Sequence, residues 1–270
     1  MKFKELINYL DGQFPRSLSL SNDKDGIEVC VDYELEIGRV LAVVDITFEA
    51  IDYAITNGYN CIISHHPMIY EPLKKLDLSD TATKKAVMLA SHNICAASYH
   101  TRLDSADGGV NDCLLNALQI NNNVEILPDL DDNNIPIGRV VTLDEEVTLR
   151  DFCVDIKKSL RKFYKKEFSV DAEFNVNYIK GGKNVKKIGV VGGSGMYFSG
   201  FSGDIGADTF LTGEGKYHDI LNLYESYGMN IITAGHFETE VVVLPFIKQK
   251  ILEKFPQALV DCYIGDNMHI

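Results

Sequence analysis

Apolar positions along the chain recur in two periods, and the period changes where the elements change. Phe3, Leu6, Ile7 and Leu10 fall at helical spacing, which predicts an amphipathic helix over 2–14. Residues 15–38 read as loop with a short strand. Val40 to Val44 is a continuous β-branched run, the pattern of a strand buried on both faces of a parallel sheet. A helix follows from Phe48 to Ile55, stopped by Asn57-Gly58. Cys61 to Ser64 reads as the next strand, 79–91 as helix, and Ile94 to Ser98 as a third strand. Strands alternating with helices predict an α/β sheet.

The pattern then returns. Lys187 to Val191, Thr209 to Thr212 and Asn230 to Ala234 read as strands, with a helix predicted across 214–227. Superposing the two runs matches Gly58 with Gly206, Ile62-Ile63-Ser64 with Phe210-Leu211-Thr212, His100 with His236, and Asp104 with Glu240. The expected fold is therefore α/β, with two similar βαβαβ-type lobes. Between them Val110 to Leu118 is predicted helical, Asp129 to Asn134 a turn, and Ile137 to Leu143 a strand. Residues 148–164 are predicted as a helix capped by Thr148, and Phe168 to Tyr178 as a strand by its alternation. The divisions expected are an N-terminal lobe over 1–120, a connecting α+β segment over 121–185 and a C-terminal lobe over 186–270, as separate lobes or one intertwined domain.

Composition narrows the class. Hydrophobic residues make up 46% and charged residues 24%, so a packed core is expected rather than disorder. No apolar run is long enough to span a bilayer, and Met1-Lys2-Phe3-Lys4-Glu5 leads into no signal-peptide core, which points to a cytoplasmic protein. The net charge of −13 argues against nucleic acid, whose binding draws on Lys and Arg neutralising phosphates. None of the six cysteines forms a Cys-x-x-Cys pair, so they are expected to be small buried hydrophobes.

The chemistry gathers at strand ends. Ser64-His65-His66-Pro67 follows the second strand; Pro67 holds His66 in extended geometry and suits a turn that brings both rings to one site. His100 and Asp104 follow the third strand, and His236 and Glu240 follow its counterpart, each pair at His-x-x-x-carboxylate spacing. Singly these are ordinary loop histidines and helix caps. At equivalent strand ends, where α/β sheets place their ligands, the three His and two carboxylates of His65, His66, Asp104, His236 and Glu240 suit two transition-metal ions such as Zn, Fe, Mn, Co or Ni. His218, on the helix after Thr212-Gly213-Glu214-Gly215, reads as a pocket acid/base or a surface histidine; His100 reads as a proton carrier or as a support for Asp104. Gly192-Gly193-Ser194-Gly195 follows a strand without a dinucleotide fingerprint or Walker lysine, and could present amides to an anion. His92 and His269 carry no functional expectation.

Four motifs in order, Ser64-His65-His66-Pro67, the run from His100 to Asp112, Thr212-Gly213-Glu214 with Tyr217-His218, and Gly235-His236 with Thr239-Glu240, resemble the Nif-three-like dinuclear-metal family, also labelled GTP cyclohydrolase I type 2. The resemblance implies two lobes whose sites face each other across a cleft, and metal ligands at His65, His66, Asp104, His236 and Glu240. It also implies a toroidal homohexamer and a metal-dependent hydrolase of a small molecule such as a nucleotide, with His218 and His100 moving protons. The other function it allows is a metal-binding, regulatory hexamer without efficient catalysis. Two departures from the family pattern stand out. Asp25-Gly26-Ile27-Glu28-Val29 replaces the usual Asp-Asn-x-Gly-Leu, and Arg102 replaces the usual Asn of the His-Thr-Asn-Leu-Asp motif.

Overall fold

The computed structural model describes residues 1–120 and 122–265. In chain order its helices and strands begin α1 (Phe3–Gln13), β1 (Gly26–Val29), β2 (Arg39–Val43), α2 (Phe48–Thr56), β3 (Cys61–Ser64), α3 (Thr81–Ser91), β4 (Cys95–Ser98) and α4 (Thr101–Ser105). They continue α5 (Val110–Leu118), β5 (Val124–Asp129), β6 (Ile135–Val147), α6 (Leu149–Glu167), β7 (Asn177–Ile179) and β8 (Val185–Val191). The remainder are α7 (Ser199–Asp204), β9 (Thr209–Thr212), α8 (Tyr217–Tyr227), β10 (Asn230–Thr233), α9 (His236–Glu240), α10 (Leu244–Lys254) and β11 (Leu259–Cys262). Among the described residues no helix is long and apolar enough to cross a membrane. His269 lies outside the described residues.

Two compact units divide the chain. Among the described residues one joins Met1–Leu103 to 244–265, and the other is Asp104–Val243. β11 pairs in parallel with β2 and returns the C-terminal segment to the N-terminal sheet. That short strand and α10 gave no strong period in the sequence.

The first unit carries a five-stranded sheet in the order β1-β4-β3-β2-β11, and the second a six-stranded sheet in the order β5-β6-β8-β9-β10-β7. The internal repeat is plain in these orders. In each unit three parallel strands follow one another (β2-β3-β4 and β8-β9-β10), and the strand that precedes them in sequence lies antiparallel beside the last, β1 on β4 and β7 on β10. In each, a five-residue helix follows the last parallel strand, α4 after β4 and α9 after β10.

The predicted amphipathic faces pack as their spacing demands. Phe3, Leu6 and Leu10 of α1 are fully buried, each worth roughly 1.5–3 kcal/mol of transfer free energy. In the first unit Leu41, Val43, Ile62 and Ala96 of the sheet pack with Ala50, Ile51 and Leu89 of α2 and α3. Caps start the helices where their sequences allow: Thr47, Asp80 and Thr148 each accept a backbone N–H from the first turn. In the second unit α6 buries Phe152, Ile156, Leu160 and Tyr164 and packs on α5. The strand expected over 168–178 is confined to β7. Ala172, Phe174 and Val176 are buried at alternate positions without joining a ladder, so the period there records burial and not strand pairing. Cys61, Cys95 and Cys153 are buried and the other three half-buried, all as free thiols.

Candidate metal centre

In the first unit the end of β3 delivers His65 and His66, whose backbone N–H groups bond the carbonyls of Val43 and Val44 and so continue the strand by two residues. The end of β4 delivers His100. The three rings form one cluster, with centroids 4.8 Å apart for His65–His66, 5.3 Å for His65–His100 and 5.4 Å for His66–His100. One ring nitrogen from each lies within 4.8 Å of the others, close enough to share an ion.

Each ring is held from behind by an oxygen. His65, fully buried, donates Nδ1–H to the Tyr99 carbonyl at 3.2 Å. His66 Nδ1 meets Asp45 Oδ1 at 2.9 Å, and His100 Nδ1 meets Asp23 Oδ1 at 2.9 Å. A carbonyl or carboxylate only accepts, so each Nδ1 carries the proton and each Nε2 keeps the lone pair that a metal would take. Carboxylate-backed imidazoles are the usual support of histidine metal ligands. Burial pushes the Asp23 carboxyl up, but bonds from His100 and Thr101 outweigh it and hold the group well below the usual carboxylate range.

Behind these residues lies the answer to what Arg102 does. Its side chain is 4% exposed, its Nε donates to Asp25 Oδ2 at 2.7 Å, and its Nη1 to Asp11 at 2.9 Å and to the Phe14 carbonyl at 3.1 Å. Asp25, wholly buried, also accepts the backbone N–H of His100 at 3.1 Å. The guanidinium lies 4.3 Å from the ring centroid of Tyr99, whose carbonyl holds His65. Arg102, which departs from the family pattern, is thus paired in a buried ion pair with Asp25, the first residue of the altered N-terminal stretch and the one that keeps the family's Asp. Arg102 is a support for the histidines and offers no charge to a ligand.

In the second unit the end of β10 delivers His236 and Glu240 on α9. Gly235 makes the turn at φ +92, a value L side chains rarely adopt. His236 Nδ1 meets Glu214 Oε1 at 3.1 Å, and its Nε2 meets Glu240 Oε2 at 3.2 Å. Glu240 is buried. With Nδ1 donating to Glu214, the Nε2 lone pair would face a carboxylate oxygen. That contact is favourable only with positive charge between them, either a second ring proton or a metal ion. The donor set therefore fits a divalent cation.

The turn Gly192-Gly193-Ser194-Gly195 serves this carboxylate instead of an anion. The amides of Gly192, Gly193 and Gly195 donate to Asn111 Oδ1, Thr239 Oγ1 and Thr212 Oγ1 at 2.9–3.0 Å, so they are spent inside the protein. Gly193 has φ +58, and a Cβ there would lie 1.9 Å from Glu240 Oε1. Its bareness is what lets Glu240 lie against the turn.

Asp104 is half-buried on α4, four residues after His100, and its carbonyl accepts from Asn111 Nδ2 at 3.3 Å. His218 stands on the first turn of α8 with a 70% exposed side chain, 3.4 Å from Asp219. Among the described residues His218 joins no group of three His, Cys, Asp or Glu ligand atoms near enough to share an ion. His100, read from sequence as a support for Asp104, lies in the cluster with His65 and His66. The sequence reading missed Asp23 and Asp45. Asp45 stands just past the end of β2, a position that could have drawn notice; Asp23, in a loop 77 residues from His100, left no local signal.

Comparison with known proteins places these features in context. A protein of Clostridium perfringens named GTP cyclohydrolase 1 type 2 homolog is 32% identical over 94% of this chain and 92% of its own. A Staphylococcus aureus hypothetical protein of known structure superposes with a TM-score of 0.83 at 25% identity, covering 100% of this chain and 98% of that one. A Bacillus cereus protein related to NIF3 does so at 0.83 and 22% identity, again over 100% and 98%. The family profile described as Duf34/NIF3 (NGG1p interacting factor 3) matches residues 1–267, and the chain belongs to that family.

Proposed function

We propose that the protein is a metal-dependent hydrolase of the GTP cyclohydrolase 1 type 2 class, with His65, His66, Asp104, His236 and Glu240 holding two divalent ions. The observation that carries the reading is the contact of His236 Nε2 with Glu240 Oε2 at 3.2 Å, which needs positive charge between the two atoms and which a divalent ion would supply. The backed imidazoles of His65 and His66, each with Nδ1 held by an oxygen, support it. A bound divalent ion supplies an acidified water and polarises the oxygen of a bound substrate.

The chain's own residues do the rest. Asp45, Asp23 and Glu214 fix the ring orientation of His66, His100 and His236 and keep Nδ1 protonated. The Arg102–Asp25 pair holds the backbone from which His100 projects. His218, exposed on α8, and His100 are the groups proposed to move protons, since an imidazole ring can both accept and donate one. Family membership further supports a homohexamer and a small-molecule substrate, with the phosphate role of the Gly192–Gly195 turn set aside because the Gly192, Gly193 and Gly195 amides are spent.

The test is turnover by metal-loaded protein against guanine nucleotides and nucleosides, esters and peptides, with His65→Ala and Glu240→Ala as controls. Turnover lost in both variants supports the hydrolase. Metal bound in full stoichiometry with no turnover on any substrate replaces it with a metal-binding, regulatory protein.

A further inference from the structure

A cavity of about 690 Å³ opens in the second unit at the carboxyl ends of β8 and β9, where α/β sheets bind their ligands. Its size lies within the usual range for small-molecule sites. The wall is mixed. Met196, Leu223, Tyr197 and Tyr227 supply apolar and aromatic surface. Both tyrosine hydroxyls are taken, Tyr197 by Asp131 at 2.9 Å and Tyr227 by Asp204 at 2.8 Å, which leaves their rings to offer.

The polar groups of the cavity favour a particular chemistry. Glu214 and Asp219 are carboxylates and accept hydrogen bonds, Asn222 both donates and accepts, and Lys216 is the one cation among the lining residues. Formal charge over the lining is thus negative. The neighbouring glycine turn has no spare amide at Gly192, Gly193 or Gly195 with which to cradle a phosphate. A polyphosphate would face two carboxylates with one lysine to offset them. A planar ring bearing N–H and NH2 groups would stack on aromatic walls and donate to Glu214 and Asp219.

We propose that this cavity binds an uncharged or cationic amino-heterocycle of nucleoside size, and not a nucleoside polyphosphate. Glu214 is the link to the metal centre: one oxygen holds His236 Nδ1 at 3.1 Å while the residue lines the cavity. A ligand there lies one side chain from His236, and in that clause alone the proposal rests on reading His236 as a metal ligand.

The experiment is calorimetric titration of the full-length protein with guanosine, inosine and guanosine triphosphate, with metal content measured on the same samples. Guanosine is expected to bind, and inosine, which lacks the 2-amino group, to bind about tenfold more weakly for one lost bond to a carboxylate. The triphosphate is expected to bind no more tightly than guanosine. Asn222→Trp, on the exposed side of α8, fills the cavity and should abolish guanosine binding while metal content stays. Glu214→Gln, which keeps a neutral acceptor, should narrow the guanosine–inosine difference. Tighter, salt-sensitive binding of the triphosphate overturns the proposal, as does guanosine binding that survives Asn222→Trp or no guanosine binding at all. Metal present without guanosine binding sinks the cavity alone; metal-free wild type sinks the metal reading and leaves the cavity to its own result.

Discussion

Replacing Arg102 by Met tests the supporting layer behind the histidines. The substitution keeps much of the apolar stem and removes the charge. Asp25, whose side chain is wholly buried, then loses its 2.7 Å partner and keeps Arg16, which is 58% exposed, and the His100 amide. Removing one member of a buried ion pair costs about 3–5 kcal/mol; the remaining Arg16 contact places this case near the lower end, at about 3 kcal/mol. The loss of the stack on Tyr99 lies within that figure. For a protein of this size the shift is roughly 5–10 °C in melting temperature, read with urea unfolding on metal-free protein. Asp25→Asn alone leaves Arg102 with Asp11 and should cost less. The double variant should recover much of the Arg102→Met loss, because no buried charge is stranded. A single-variant cost under about 1 kcal/mol, or simple additivity of the two changes, would refute the claim that the two residues act as one pair.

Three further outcomes follow from the same geometry. Asp23 titrates below its ordinary value of 3.8 because its bonds to His100 and Thr101 outweigh its burial. A depressed carboxylate stabilises the fold above the unfolded value, and that contribution is lost as pH falls below it; acid unfolding of metal-free Asp23→Asn should therefore be shallower below about pH 4 than wild type. Gly193→Ala places a Cβ at a left-handed backbone position 1.9 Å from Glu240 Oε1. It should lower metal uptake and cost more in unfolding than Gly206→Ala, the backbone-only control with open space and a similar φ of +78, whose own cost is about 1–2 kcal/mol. Burial, and then Asp112, push the Cys113 thiol up to about 12, so alkylation at pH 8.5 should be far slower at Cys113 than at a model thiol, read by peptide mass mapping.

Much of this architecture was legible in the sequence because its signals are local. The apolar runs at Val40, Cys61 and Thr209 are buried strands, and the spacing of Phe3, Leu6 and Leu10 is a buried helix face. The repeat was legible too, since two copies of one unit place glycines and His-x-x-x-carboxylate pairs at matching strand ends. What escaped depends on long-range pairing. Asp23 reaches His100 from 77 residues away and Asp25 reaches Arg102 from the same distance, so neither pair leaves a spacing. Ala172, Phe174 and Val176 alternate like a strand because alternate side chains are buried, although the segment finds no ladder. The glycine turn looked like an anion cradle because a sequence does not show that Asn111, Thr212 and Thr239 take its amides.

The central claim is that His65, His66, Asp104, His236 and Glu240 hold metal. Elemental analysis of protein purified without added chelator tests it most directly, beside Glu240→Ala and His65→Ala purified the same way. The account predicts about two transition-metal ions per chain in wild type and a marked loss in both variants. Wild type that carries no metal and takes up none on titration with zinc, iron, manganese, cobalt or nickel would contradict it.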